Sequence, residues 1–299
     1  MRIAIIGGSG LIGTELTKEL TGHGHSVTIL TRGTPQSSRY GETWKRWNGR
    51  DANELAVLIT ESEAVINLAG VSIGSGRWTI ERKAAIFTSR VESGQALASA
   101  IMSLEKKPEV VVQASAVGFY GTGSESVDEN SKQGKDWLSS VCRDWENSLS
   151  SIDGSKVRKV IIRSGVVLSK KGGILDQMKL PIQLFLGGPL GNGEQWISWI
   201  HIRDEVRAIR FLLETPFAEG IYNLSSPEPV TNRYFGRMLA KQLHRPFWLS
   251  VPGFVLKIIL GEMSTLVLDG QKVIPARLSE ASFDFEFPGL ETALKDLLV

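Results

Sequence analysis

The chain begins Met1-Arg2-Ile3-Ala4-Ile5-Ile6 and passes directly into Gly7-Gly8-Ser9-Gly10-Leu11-Ile12-Gly13. An apolar strand that runs into glycines at 7, 10 and 13, with a helical segment following to Leu20, constrains the fold more than any other feature. The first glycine permits a tight turn. The second lets backbone approach a pyrophosphate, and the third lets the helix pack closely on the sheet. The new helix then offers free N–H groups and the positive end of its dipole to phosphate. Gly7, Gly10, Leu11, Ile12 and Gly13 are therefore read as a dinucleotide phosphate loop. A glycine triplet alone is a weak signal, and its place after the first strand of an alternating series makes it specific.

That series continues. Val27–Leu30, Trp44–Trp47, Ala64–Leu68, Val110–Val112 and Lys156–Ile162 read as further strands, most of them apolar throughout and separated by helical stretches. Strands without polar alternation belong to a parallel sheet covered on both faces. The expected fold class is α/β, a Rossmann-type doubly wound parallel sheet. Beyond about Gly165 the chain is punctuated by Gly172-Gly173, Gly187-Gly188, Gly191-Asn192-Gly193 and most of the prolines. Helices are expected near Arg203–Leu213, Tyr234–Leu243 and Pro252–Leu260. This gives an NADP-binding domain over 1–165 and a smaller α+β substrate-binding region over 166–299, with some elements interleaved.

The 299 residues carry 34 Lys+Arg against 32 Asp+Glu, with 42% apolar residues. That balance excludes a disordered tail, a collagen-like chain and a supercharged nucleic-acid clamp. The tryptophans are not interleaved with a basic run, so no nucleic-acid partner is expected. No apolar run reaches the ~18 residues of a membrane helix, and the opening segment lacks a small-residue cleavage pattern. One cysteine, Cys142, excludes an intrachain disulfide and fits a reducing compartment, so the chain reads as cytoplasmic. The four histidines are scattered and give no metal spacing.

The residues ending the second strand set the coenzyme. An NAD site places Asp or Glu there, whereas this chain has Thr31-Arg32. A guanidinium fork suits a 2′-phosphate and the threonine adds a hydroxyl donor. NADP(H) is therefore expected. Asp51, after the third strand, is placed either to meet the adenine or to cap a helix before Glu54.

The glycine series, Asn67-Leu68-Ala69-Gly70, Tyr120-Gly121 and Trp199-Ile200-His201-Ile202-Arg203-Asp204 resemble the extended short-chain dehydrogenases/reductases. Arg77-Trp78, Ser89-Arg90, Ser115–Gly121, Gly187–Gly191 and Gly261-Glu262-Met263 are similar to an NAD-dependent epimerase/dehydratase-like subfamily with its own C-terminal domain. The resemblance implies that Leu68, Ala69 and Gly70 line the coenzyme through backbone. It implies a small-molecule substrate, nucleotide-sugar-like in the wider family, and leaves a homodimer open.

The resemblance also implies a Tyr-x-x-x-Lys pair for proton transfer, one helical turn apart. It is missing. The residues four places after Tyr40, Tyr120, Tyr222 and Tyr234 are Trp44, Ser124, Ser226 and Met238. Matching Glu146 to the family's downstream glutamate puts Leu138 and Cys142 at the two positions. Cys142 shares a face with Leu138, Val141, Trp145 and Leu149 and reads as core. The catalytic candidates are then Ser115, at the end of the fifth strand with a register one residue uncertain, and Tyr120 from the same loop. Lys83 and Arg90, seven apart on one helix, and Arg163, at the end of the sixth strand, are candidates for an anionic substrate. Asp204 is expected to cap a helix, and Trp196 and Trp199 to pack a pocket wall or the interdomain core. Two functions follow: an NADP(H)-dependent oxidoreductase or epimerase with an unusual proton donor, or an NADP(H)-binding sensor without turnover.

Overall fold

In the computed structural model, which describes residues 1–298, the sheet is built from β1 (Arg2–Ile6), β2 (Ser26–Thr31), β3 (Thr43–Arg46), β4 (Ala64–Asn67), β5 (Val110–Ala116), β6 (Arg158–Ser164) and β7 (Gly220–Leu224). All neighbours are parallel, in the order β7-β6-β5-β4-β1-β2-β3. The chain moves outward from β1 to β3, then returns to the other side of β1 at β4. The point of return is a topological switch, where open α/β sheets hold ligands.

Alternate residues of each strand serve opposite faces. Ile3 and Ile5 join Val27, Ile29, Val110 and Val112 under α1 (Leu11–Gly22) and α6 (Ile202–Glu214). Ala4 and Ile6 join Leu30, Val65 and Val111 under α2 (Ala52–Ile59) and α3 (Ile80–Ser103). This double burial explains why the strands lack polar alternation, and each fully buried Ile contributes ~1.5–3 kcal/mol.

The seventh strand and α6 come from beyond residue 165, so the C-terminal half completes the sheet. What remains forms its own core of Leu168, Leu175, Trp199, Phe235, Phe287 and Leu294. Trp199 is fully buried there, its indole N–H donating to the Glu228 carbonyl, and is a core residue and not a pocket wall. The cap of α6 corrects the sequence reading. His201 is the N-cap, its Nδ1 accepting the Arg203 N–H at 3.0 Å. Burial pulls His201 down to about 4, which keeps that nitrogen free to accept. Asp204 instead accepts the N–H groups of Glu286 and Phe287, pinning the C-terminal segment to α6. No helix among the described residues is long and apolar enough to cross a membrane.

Candidate coenzyme and substrate site

The glycine loop and the turn after β4 meet at the switch point. Gly7 has φ +78°, and a Cβ there would stand 2.9 Å from the Leu68 carbonyl carbon. A Cβ on Gly13 would come within 2.5 Å of the Gly8 Cα. Both positions therefore need glycine for packing within the protein. Gly10 differs, because a Cβ there would meet only the Gly7 oxygen, at 3.4 Å. Its bareness leaves space outside the protein. Gly10 is also the N-cap of α1, with no side-chain cap, so the first-turn N–H groups lack the usual acceptor. The loop fits a pyrophosphate on both counts.

Asn67 shapes the facing turn. Its Oδ1 accepts the Ala69 N–H at 3.1 Å and the Ser93 hydroxyl at 3.3 Å, while its Nδ2 donates to Gln113 Oε1 at 3.0 Å. These bonds hold the backbone of the Leu68–Gly70 turn against Gly7. Ser93 and Gln113, the residues that hold it, carry no sequence signal of their own.

At the far end of β2, the Thr31 hydroxyl accepts the Gly33 N–H at 3.2 Å. Arg32 is exposed and lies along Gly49, with Cδ 3.2 Å from where a Cβ would be. Among the described residues it has no ion-pair or hydrogen-bond partner. A cavity of about 180 Å³ opens beside Ser9, with Thr14, Gln36, Arg39 and Trp44 in its wall. The Asp51 carboxylate accepts the Glu54 N–H at 3.0 Å and is the N-cap of α2.

The candidates on β5 and β6 sit in a closed polar cluster. Ser115 donates to Glu146 Oε1 at 2.7 Å. Arg163, 2% exposed, donates from Nε and Nη2 to the two Glu146 oxygens, each at 2.8 Å, and lies 3.4 Å over the Phe119 ring. Its Nη1 donates to the Tyr120 hydroxyl at 3.0 Å, which itself donates to Asn223 Oδ1 at 2.6 Å. The surroundings of three candidates are thus closed. Arg163 is committed to a buried carboxylate. Tyr120 does not reach into the cleft; it is 7% exposed, and burial pushes its hydroxyl up to about 12. Ser115 is buried with its proton already donated. Glu146 was legible only as a match to the family's downstream glutamate, and Asn223 carried no signal. Partners from α4 (Trp137–Asn147) and β7 are joined to Arg163 by the tertiary fold alone.

Leu138 and Cys142 both face Gly118, each 3.7 Å from where its Cβ would stand. Cys142 is core, as its stripe indicated, and burial pushes its thiol up to about 12. Lys83 pairs with Glu262 and sits 5.0 Å from the Trp137 ring, tying α3 to the C-terminal region.

A fold of this order, with a glycine-lined crevice at its switch point, defines a Rossmann-type α/β protein. Residues 3–140 match the NAD dependent epimerase/dehydratase family, and residues 251–297 match a domain of unknown function, DUF1731. The chain is 40% identical over 304 residues to the epimerase family protein SDR39U1 homolog, chloroplastic, of Arabidopsis thaliana, covering 100% of this chain and 87% of that protein. This chain belongs to the NAD-dependent epimerase/dehydratase family. It superposes on human epimerase family protein SDR39U1, crystallised with NADPH, with TM-score 0.88 and 32% identity over 99% of each chain. The Thermus thermophilus UDP-glucose 4-epimerase, solved with NAD, shares the fold at TM-score 0.79 and 18% identity over 99% of this chain and 98% of that one.

Proposed function

We propose that this protein binds NADP(H) and acts as an oxidoreductase or epimerase on a small molecule. The observation that carries the reading is the uncapped α1 N-terminus at Gly10, together with an unpartnered Arg32 where an NAD site would hold an acid. Gly7, Gly10, Leu11, Ile12 and Gly13 would receive the pyrophosphate. Thr31 and Arg32 would receive the 2′-phosphate, Asp51 the adenine edge, and Leu68, Ala69 and Gly70 the inner ribose. The human relative crystallised with NADPH supports this coenzyme. When bound, the nicotinamide supplies hydride exchange.

Leu138 and Cys142 give no side-chain acid at the expected place, and Ser115 and Tyr120 are already engaged. In this reading the proton travels through bound water or the substrate itself. The closed state of Ser115 and Tyr120 also favours a second reading, an NADP(H) sensor without turnover.

Calorimetric titration tests the coenzyme. The parent should bind NADPH more tightly than NADH. Arg32→Ala should lose NADPH affinity by at least about tenfold and leave NADH unchanged. Equal affinities in parent and variant would sink the 2′-phosphate assignment. Screening the purified protein for NADPH oxidation and NADP⁺ reduction against carbonyl and nucleotide-sugar panels separates the two readings. Tight binding without turnover would leave the sensor.

A further inference from the structure

One guanidinium near the crevice has no counter-charge. Arg82, Ile86, Arg90 and Ser93 recur along α3 at helical spacing and share the face that backs the 67–75 turn. Arg90 Nη1 donates to the carbonyls of Val71, at 3.1 Å, and Ile86, at 3.0 Å. Its plane lies between two surfaces. On one side, a Cβ on Gly70 would meet its Cζ at 3.0 Å. On the other, Cζ is 4.9 Å from the Trp145 ring centroid. Among the described residues, Nε and Nη2 have no hydrogen-bond partner, and neither is among the atoms sealed from open space. No carboxylate pairs with Arg90.

The surroundings do not balance the charge. Arg82 Nη2 donates to the Ser72 carbonyl and the Ser75 hydroxyl, while its Nε is buried without a partner. Arg77 donates to the carbonyls of Ile258 and Ile259. Lys83 is neutralised by Glu262. Glu81 is exposed and hydrogen-bonded to Thr79. Cys142, the nearest titratable group on α4, stays a neutral thiol. The loop is thus ringed by Arg77, Arg82, Lys83 and Arg90, with Glu262 the one acid paired into it among the described residues. A cation withdrawn from water without an anion is costly. Carbonyl acceptors satisfy some of its N–H groups and leave its charge.

We infer that Arg90, with Arg82 behind it, is a binding site for an oxyanion, a carboxylate or phosphate, carried by the small molecule that enters beside Gly70. The inference rests on the reading of this crevice as a ligand site. The two open nitrogens offer the paired N–H geometry that oxyanions accept. A Cβ on Gly70 would crowd the guanidinium, so turn and arginine pack against each other closely.

The test is a ¹⁵N–¹H titration of the arginine Nε–H signals with inorganic phosphate and with malonate. The Arg90 signal, assigned by its loss in Arg90→Met, should shift saturably while the Arg163 signal stays still. Arg90→Met should bind phosphate at least about tenfold more weakly and Arg82→Met about threefold, while Arg90→Lys, which keeps the charge and loses the paired N–H groups, should fall between the two. Repeating the titration on NADPH-saturated protein finds the source. A persisting shift assigns the site to a substrate anion, and a lost one to the coenzyme's own phosphates. Absence of any Arg90 shift in both forms would overturn the site. So would parent-like phosphate binding by Arg90→Met, or by Arg82→Met and an Arg90→Leu replacement should Arg90→Met fail to fold. Phosphate uptake at Arg90 in a protein that ignores NADPH would sink the coenzyme proposal and leave this one standing.

Discussion

Arg163 and Arg90 are both withdrawn from water near the carboxyl edge of one sheet, and their surroundings differ in kind. Arg163, at the end of β6, meets both oxygens of Glu146 and the Tyr120 hydroxyl, and each of those meets a further partner in Ser115 or Asn223. Arg90, beside the end of β4, meets carbonyls on one edge and, among the described residues, no hydrogen-bond partner on the other. The same contrast separates the glycines. Gly7 and Gly13 are filled by protein, and Gly10 is not. Polar groups that a fold uses for itself form closed circuits, and groups kept for a ligand leave one side open. By that criterion the β5–β6–β7 end is scaffold, and the β1–β4 crevice is the side left open.

Breaking the closed circuit should have the largest effect. Arg163→Met strands Glu146 in the core and should cost about 3–5 kcal/mol in urea unfolding, with NADPH affinity in the surviving native protein within about twofold. Arg90→Met strands no acid and should cost less than half as much. Equal costs would erase the distinction.

Glu205 on α6 is the next case. It is fully buried, accepts from Ser164 Oγ at 2.6 Å, and has no partner for its second oxygen. Burial pushes it from 4.5 up to about 8. The folded state therefore keeps a proton that the unfolded chain releases near 4.5. Its contribution to stability is intact below that pH and declines as pH rises toward 8, by about 1.4 kcal/mol per unit. Glu205→Gln should remove that decline. Thermal melts from pH 5 to 8 should show the variant gaining on the parent with rising pH, and parallel curves would show that Glu205 is ionised in the core.

Gly10→Ala probes the open side. Gly10 has φ −76°, which alanine adopts freely, so stability should change by less than about 0.5 kcal/mol. NADPH affinity should fall at least about tenfold, because the methyl group stands where phosphate must approach. The smallest effect is expected at Asp51. Asp51→Ala should cost about 1 kcal/mol as a lost helix cap. Calorimetry then decides its second role, since a Kd unchanged within about twofold would confine it to the cap.

Much of the fold was legible because its signals are local. The strand-to-glycine passage, the apolar strands and the Cys142 stripe each lie within a dozen residues, and the structure places the loop, sheet and helix where those patterns point. Strand ends shifted by a few residues. β5 runs on to Ala116 through Gln113 and Ser115, polar residues whose partners are Asn67 at the end of β4 and Glu146 on α4. The candidates that moved share one trait. Tyr120, Ser115, Arg163 and Asp204 are polar residues at element ends, where sequence reads an open position and cannot see what packs over it.

The order of apolar residues and glycines in this chain was enough to set a doubly wound sheet and a phosphate-shaped bend, because periodicity and backbone freedom act over a few residues. Which polar groups stay available was decided only when distant segments met. Whether a withdrawn charge is neutralised depends on a partner that lies 17 residues away for Arg163 and that no described residue supplies for Arg90. Spacing along the chain carries no information about that.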